Sequence, residues 1–240
     1  MTATAIRPAT AEPVPAARRW WVRLIVAGLL LLVVLAGVAY ALLSTQLAAV
    51  KTVHVVGTTQ VPAAAVSQAA AVQVGTPLLR LDVAAIRRRV LAALPAVGSV
   101  SVHRSWPSTV AISVQERLVA AVVPHDGQFL LLDRHGVAYR LTRAAPAGAP
   151  VAALTNPGPD DPSTRAVLAV LAGLPADLRR LTVRIAAPTP DQLTLTLRAG
   201  REVLWGDAAD GPAKAAVVRI LLHRKGQHID VSAPGLVTVH

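Results

Sequence analysis

Cysteine is absent from this 240-residue chain. That excludes disulfide scaffolds, thiolate metal sites and Cys nucleophiles. Aromatic residues make up only 3%, so a sheet that stacks unpaired bases would lack its platforms. Charge is thin as well, at 15% of residues, and the acids are the short side, 13 against 24 basic residues. A net charge of +11 raises the question of nucleic acid or an anionic membrane surface. With 53% hydrophobic residues the chain is not a disordered basic tail, which needs low hydrophobicity. The basic residues are 21 Arg and 3 Lys in an Ala- and Val-rich background. That usage suits a GC-rich genome, so part of the charge is mutational background. The length allows one or two domains with a real core.

What the chain does hold is one long apolar run. Residues 24–43 carry no charge, and 20 helical residues rise about 30 Å, the thickness of bilayer hydrocarbon. Trp20, Trp21 and Tyr40 bracket the run, where interfacial aromatics belong. Arg7, Arg18, Arg19 and Arg23 precede it against Glu12 alone. The positive-inside rule therefore predicts a cytoplasmic tail over residues 1–23, a transmembrane helix over 24–43 and export of the remainder. A cleavable signal peptide is the competing reading, because Ala39-Tyr40-Ala41 fits a small-x-small site and would allow cleavage after Ala41. The run is too long for the usual apolar segment of a signal, and Leu42-Leu43 extend it. An anchor is the better fit.

Beyond the span, residues 51–56 form a β-branched run closed by Gly57, a strand signal. A helix is predicted from Pro62 to about residue 71, then a break at Gly75-Thr76-Pro77. Asp82 is a good N-cap for a second helix with Val83, Ile86, Val90 and Leu94 on one face. Alternating strands are predicted at 97–106 and 109–116. Strand, helix, helix, strand, strand implies a small α+β unit.

These residues also carry a resemblance. The element order, with Val53-His54-Val55-Val56-Gly57, Gly75-Thr76-Pro77-Leu78-Leu79, Leu94-Pro95-Ala96-Val97 and Arg104-Ser105-Trp106-Pro107-Ser108-Thr109-Val110, resembles the POTRA domain of the FtsQ/DivIB family of bacterial cell-division proteins. Val114-Gln115-Glu116-Arg117 matches that family's signature, although Leu118 stands where the family usually has Pro. The boundaries this implies are 51–119 for the POTRA-type domain and 120–240 for a second, mainly antiparallel β domain with flanking helices.

In that second segment, apolar runs at 118–123, 129–132 and 137–141 predict strands, the last two separated by the turn Asp133-Arg134-His135-Gly136. A loop is predicted over about 144–162, a helix over 163–172, strands at 181–185, 193–197 and 202–205, and a helix over 214–223. Leu132-Asp133-Arg134-His135-Gly136-Val137, Val203-Leu204-Trp205-Gly206, Lys214 and Ile229-Asp230-Val231-Ser232 resemble the second domain of the same family.

Catalytic patterns are missing. The chain has no G-x-S-x-G, no H-E-x-x-H and no phosphate-cradling Gly loop. Its histidines, among them His54, His103, His125, His135, His223 and His228, are dispersed without metal-ligand spacing. Asp207 and Asp210 fit an acidic helix start better than a calcium loop, and Asp160-Asp161 read as a helix cap. Arg87-Arg88-Arg89 read as a solvated helix face, with anionic head groups as the alternative. No enzyme activity, cofactor, metal, nucleic acid or small-molecule substrate is expected.

A partner is. Pro234-Gly235 interrupts the start of the last strand, and Pro is tolerated only at sheet edges or bulges. An open edge there can accept a strand from another chain. The resemblance implies the same region, since in that family the membrane protein FtsB (DivIC), which pairs with FtsL, adds a strand to the end of the second domain. The residues carried over are Asp230, Val231, Ser232, Leu236, Val237, Thr238 and Val239. The resemblance also implies recruitment through the POTRA domain, with Val53, Gly57 and Trp106 as candidates, while Arg18, Arg19, Trp20, Trp21, Arg23 and Tyr40 orient the span. The expected function is a single-pass division scaffold at the septum. A membrane-tethered wall hydrolase and a POTRA-type transport chaperone are the alternatives.

Overall fold

The computed structural model describes residues 17–44, 48–224, 226–233 and 238–239. A single helix, α1 (Ala17–Ser44), comes first. Within it Trp20–Ala41 is long and apolar enough to cross a membrane, and none of it is buried against the rest of the chain. A core helix of similar composition would be covered by the rest of the chain; this one is not. Arg18, Arg19 and Arg23 lie in its first turns and Tyr40 near its end, as the run predicts.

Two sheets follow, giving the α+β architecture that the pattern predicts. The first has strands β1 (Thr52–Val56), β2 (Val97–Ser105) and β3 (Thr109–Glu116) in the order β1-β3-β2. β1 runs parallel to β3 and β2 antiparallel to it. Helices α2 (Ala63–Ala70) and α3 (Val83–Ala93) cover one face. Asp82 caps α3 by accepting from the Ala85 N–H at 2.9 Å, which ends the competition between helix and turn at that point. Val66, Leu78, Ile86, Val90, Val110 and Ile112 make the core. Gly57 sits at φ 84°, where a Cβ would overlap the Val114 carbonyl oxygen, so β1 can turn away only with glycine there. At the far end of the sheet the Thr59, Gln60 and Val61 N–H groups donate to the Glu116 carboxylate at 2.6, 2.8 and 2.8 Å.

The second sheet has nine strands: β4 (Ala121–His125), β5 (Gln128–Leu132), β6 (Ala138–Thr142), β7 (Val151–Ala153), β8 (Thr182–Ala186), β9 (Leu193–Leu197), β10 (Glu202–Gly206), β11 (His228–Asp230) and β12 (Thr238–Val239). Their order is β12-β11-β10-β9-β8-β7-β4-β5-β6. Most neighbours are antiparallel; β10–β11, β7–β8 and β4–β7 are parallel. Helices α4 (Pro162–Gly173), α5 (Ala176–Leu181) and α6 (Gly211–Leu221) supply the apolar residues that close the core over Leu193, Leu195, Val203, Trp205 and Ile229. Asp161 caps α4 through the Thr164 N–H at 2.7 Å.

Three local expectations need correction. The stretch 144–162 is not all loop, because β7 lies within it, between β8 and β4 inside the sheet. Leu181 ends α5 rather than starting a strand. The strand expected from 118 begins only at Ala121, leaving Leu118 82% exposed in the connection between the two sheets.

Candidate partner-binding edge

β12 is the outermost strand of the nine described in its sheet. It pairs antiparallel with β11, Ile229 opposite Val239 and Asp230 opposite Thr238. β11 lies parallel to β10, with Glu202, Val203 and Leu204 opposite His228, Ile229 and Asp230. Beneath this edge Val203, Trp205, Ile229 and Val231 are buried, so apolar packing holds the last strands in register.

The corner that supports the edge is built from β10 and α6. Gly206 adopts φ 77°, and a Cβ there would stand 2.9 Å from Ser232 Cβ, so the chain leaving β11 lies directly on the end of β10. Lys214 is buried, and its Nζ donates to Asp207 Oδ1 at 2.6 Å and to the Asp207 carbonyl at 3.1 Å. The bond from Lys214 holds the Asp207 carboxyl below its usual range, against a smaller opposing effect of desolvation. Asp207 is thus the counter-ion of a buried lysine, and Asp210, expected to contribute to an acidic helix start, makes no side-chain cap. Asp230 Oδ1 accepts from the Ser232 N–H at 2.9 Å and from Ser232 Oγ at 2.7 Å, closing a turn after β11.

The sequence-derived partner residues therefore divide. Asp230, Val231, Ser232, Thr238 and Val239 come together at this edge. The side chain of Val231 points into the core, and its N–H donates to the Leu204 carbonyl at 2.9 Å. Leu236 and Val237 lie outside the described residues. On the first sheet, Val53 packs against the core and Gly57 is required by its backbone geometry, while Trp106 is 52% exposed.

A second feature escaped the sequence, the junction between the sheets. Arg117 donates through Nε to the Pro95 carbonyl at 2.9 Å and through Nη1 to Asp133 Oδ2. Asp133 Oδ1 accepts from the His135 and Val137 N–H groups at 2.8 and 2.9 Å. Burial pushes the Asp133 carboxyl upward, but these N–H bonds and Arg117 outweigh it and hold it below its usual range. Across the same junction Arg140 Nη1 donates to Gln60 Oε1 at 2.9 Å. A cavity of about 750 Å³ opens beside it, lined by Arg117, Leu118, Asp133, Arg134, Leu171 and Arg180 among others. Glu116, in the same wall, is taken up by its three backbone donors. Both carboxylates are thus bonded and held below their usual range, burial opposing the backbone N–H donors in each. Among the described residues no group of three His, Asp or Glu could hold a metal ion. The Glu116-Arg117 pair is visible in the sequence as a motif; its partner Asp133 is not, because the contact depends on how the sheets meet.

Comparison with known proteins gives two family matches: "POTRA domain, FtsQ-type" over residues 48–117 and "Cell division protein FtsQ/DivIB, C-terminal" over 121–232. The cell division protein FtsQ of Mycolicibacterium smegmatis is 41% identical over 195 residues, covering 81% of this chain and 58% of that protein. FtsQ of Mycobacteroides abscessus is 40% identical, covering 88% and 69%. FtsQ of Streptomyces bingchenggensis is 33% identical, covering 88% and 83%. This chain thus spans less than two thirds of the mycolicibacterial relative. A solved structure, the major extracytoplasmic domain of DivIB from Geobacillus stearothermophilus, aligns with a TM-score of 0.35 at 23% identity, covering 46% of this chain and 98% of that one.

Proposed function

Since this chain belongs to the FtsQ/DivIB family of cell-division proteins, we propose that it is a single-pass scaffold of the division machinery that works by docking. Its tail over 1–23 is cytoplasmic, residues 24–43 span the membrane, and the units 51–119 and 120–240 lie outside at the septum. The four arginines before the span, with Trp20, Trp21 and Tyr40 at its ends, support that orientation.

The observation that carries the docking reading is the position of β12 at the edge of a continuous sheet. An edge strand offers main-chain donors and acceptors to an incoming strand, and side chains in alternation supply selectivity. The occupant is a segment of an FtsB/DivIC-like membrane protein, itself joined to an FtsL-like one. Asp230, Thr238 and Val239 form the docking strand pair, Val231 and Ser232 brace it from behind, and Leu236 and Val237 are partner contacts by their place in the sequence alone. A wall hydrolase needs a carboxylate facing water in a cleft, and the two carboxylates in the junction cavity are already bonded.

Co-purification of the full chain with the FtsB-like protein of the same cell tests this. The pairing turns the Thr238 main chain toward β11 and the Val239 N–H toward the open edge, so Val239→Pro removes an outward donor and should abolish co-purification while the melting temperature stays near wild type. Undiminished binding by that variant would sink strand addition. Turnover of purified peptidoglycan by the full chain would sink the scaffold reading as a whole.

A further inference from the structure

Three separate segments meet at the end of the first sheet where the span arrives. The Val50 N–H donates to the Thr76 carbonyl at 2.9 Å and the Gly75 N–H to the Val50 carbonyl at 2.8 Å, and Ala49 bridges to Pro77. The Lys51 N–H donates to the Ser108 carbonyl at 2.8 Å. Thr52 opposes Thr109 and Ser105 opposes Thr109, so the start of β1, the start of β3 and the end of β2 share this end. Arg104 Nη2 donates to the Leu81 carbonyl at 2.8 Å, closing the set, and α1 itself approaches the turn Leu78–Arg80.

This end has an unusual surface. Between residues 48 and 117 the large apolar side chains left exposed are Val56, Val74, Leu79 and Trp106. The last three all lie at the span's end, and Val74 is 72% exposed. Lys51, Arg80 and Arg104 flank them, also exposed. Of the two carboxylates in the unit, Glu116 is at the opposite end, and Asp82 is held as a helix cap. Apolar tips ringed by cations, with a tryptophan among them, are what an interfacial surface needs.

Distance decides the occupant. α1 ends at Ser44, three residues past the apolar window, and Ala48 is already buried in the folded unit. Four residues reach at most about 14 Å, and the head-group layer is on the order of 5–8 Å deep on each side. We propose that Val74, Leu79 and Trp106 dip into the outer head-group layer while Lys51, Arg80 and Arg104 meet anionic phosphates, so that the bilayer surface is a second contact of this protein. The inference rests on the reading of α1 as a membrane span.

The absence of cysteine makes the test direct, because each variant then carries one thiol. Full-length Tyr40→Cys, Val74→Cys, Leu79→Cys and Val56→Cys, each bearing a fluorophore, are placed in nanodiscs of phosphatidylcholine and phosphatidylglycerol containing a head-group nitroxide lipid. Quenching is expected at 40, 74 and 79 and not at 56. Adding Arg80→Gln to Val74→Cys should lower the docked-to-undocked ratio roughly fivefold, and phosphatidylcholine alone should lower it further. If 40 is quenched while 74 and 79 behave like 56, the proposal is overturned and the patch is left for a protein partner. If 40 is not quenched, the span reading fails and takes the proposal with it.

Discussion

Gly57 shows how little freedom a single position can have. Its φ of 84° and its approach to the Val114 carbonyl leave no room for a Cβ. Gly57→Ala should therefore cost at least about 2 kcal/mol, strain and steric overlap adding together, read as a lower urea midpoint. That position was singled out from the sequence as a recruitment candidate; its backbone demand gives an independent reason for glycine. Asp133 carries the opposite kind of constraint, an ionised group kept buried by its donors. Because its pKa is depressed on folding, its contribution is present above the unfolded value of about 3.9 and is lost as pH falls through the folded value. Asp133→Asn should lose about 2 kcal/mol at neutral pH, less than a fully buried pair because Arg117 is partly solvated. Thermal melts of the two proteins should stay apart down to about pH 4 and draw together only as the pH falls further, through the depressed folded value. Convergence at higher pH would mean the carboxylate is not what stabilises the junction.

At the scale of elements, caps decide where helices begin. Asp161 Oδ2 accepts from both the N–H and the Oγ1 of Thr164 at 2.7 Å. Asp161→Ala should cost about 1 kcal/mol, seen as a reduced denaturation midpoint with partner binding intact. Asp82 and Asp161 were legible as caps because the signal is local: an acceptor just before an apolar-periodic run. β3 and β9 were legible for a similar reason, since one face is buried and the other half-buried in alternation, whereas β2 alternates only past its bulge at Val97–Ser99. β7 was not. Three residues, Val151–Ala153, between proline-rich flanks carry too little pattern, and the strand exists because β4 and β8 lie on either side to receive it. Leu118 failed in the other direction: apolar in a run of apolar residues, it is spent on a connection and not on a ladder. Of the candidate edge, a last strand was legible in the sequence, but its pairing with β11 was not. The Lys214–Asp207 support was not, because nothing local links a lysine inside a helix to the loop before it.

The whole molecule is a stack of three parts joined at two tight places. The span hands over to the first sheet within a few residues, and the first sheet hands over to the second at Glu116-Arg117, the opposite end. The eight residues of β3 separate these joints by about 27 Å. Position along this axis sorts the surfaces: exposed apolar tips and cations at the end that α1 enters, bonded carboxylates at the far joint, and a strand edge beyond it. The share of the net charge after position 23, 20 basic against 12 acidic residues, includes Lys51, Arg80 and Arg104, the cations of the proposed lipid contact.

The nine-stranded order has a mechanical side. Eight inter-strand gaps of about 4.8 Å place β12 roughly 38 Å across the sheet from β6, and β6 is tied to the first sheet through Arg140 and Gln60. Ladder bonds lie across the strands, so tension applied sideways to a docked segment peels it one bond at a time. Tension applied along its length loads every bond together. A guest strand of the kind proposed for β12 would thus let go easily under one direction of pull and resist the other, and the edge would then act as a directional clutch.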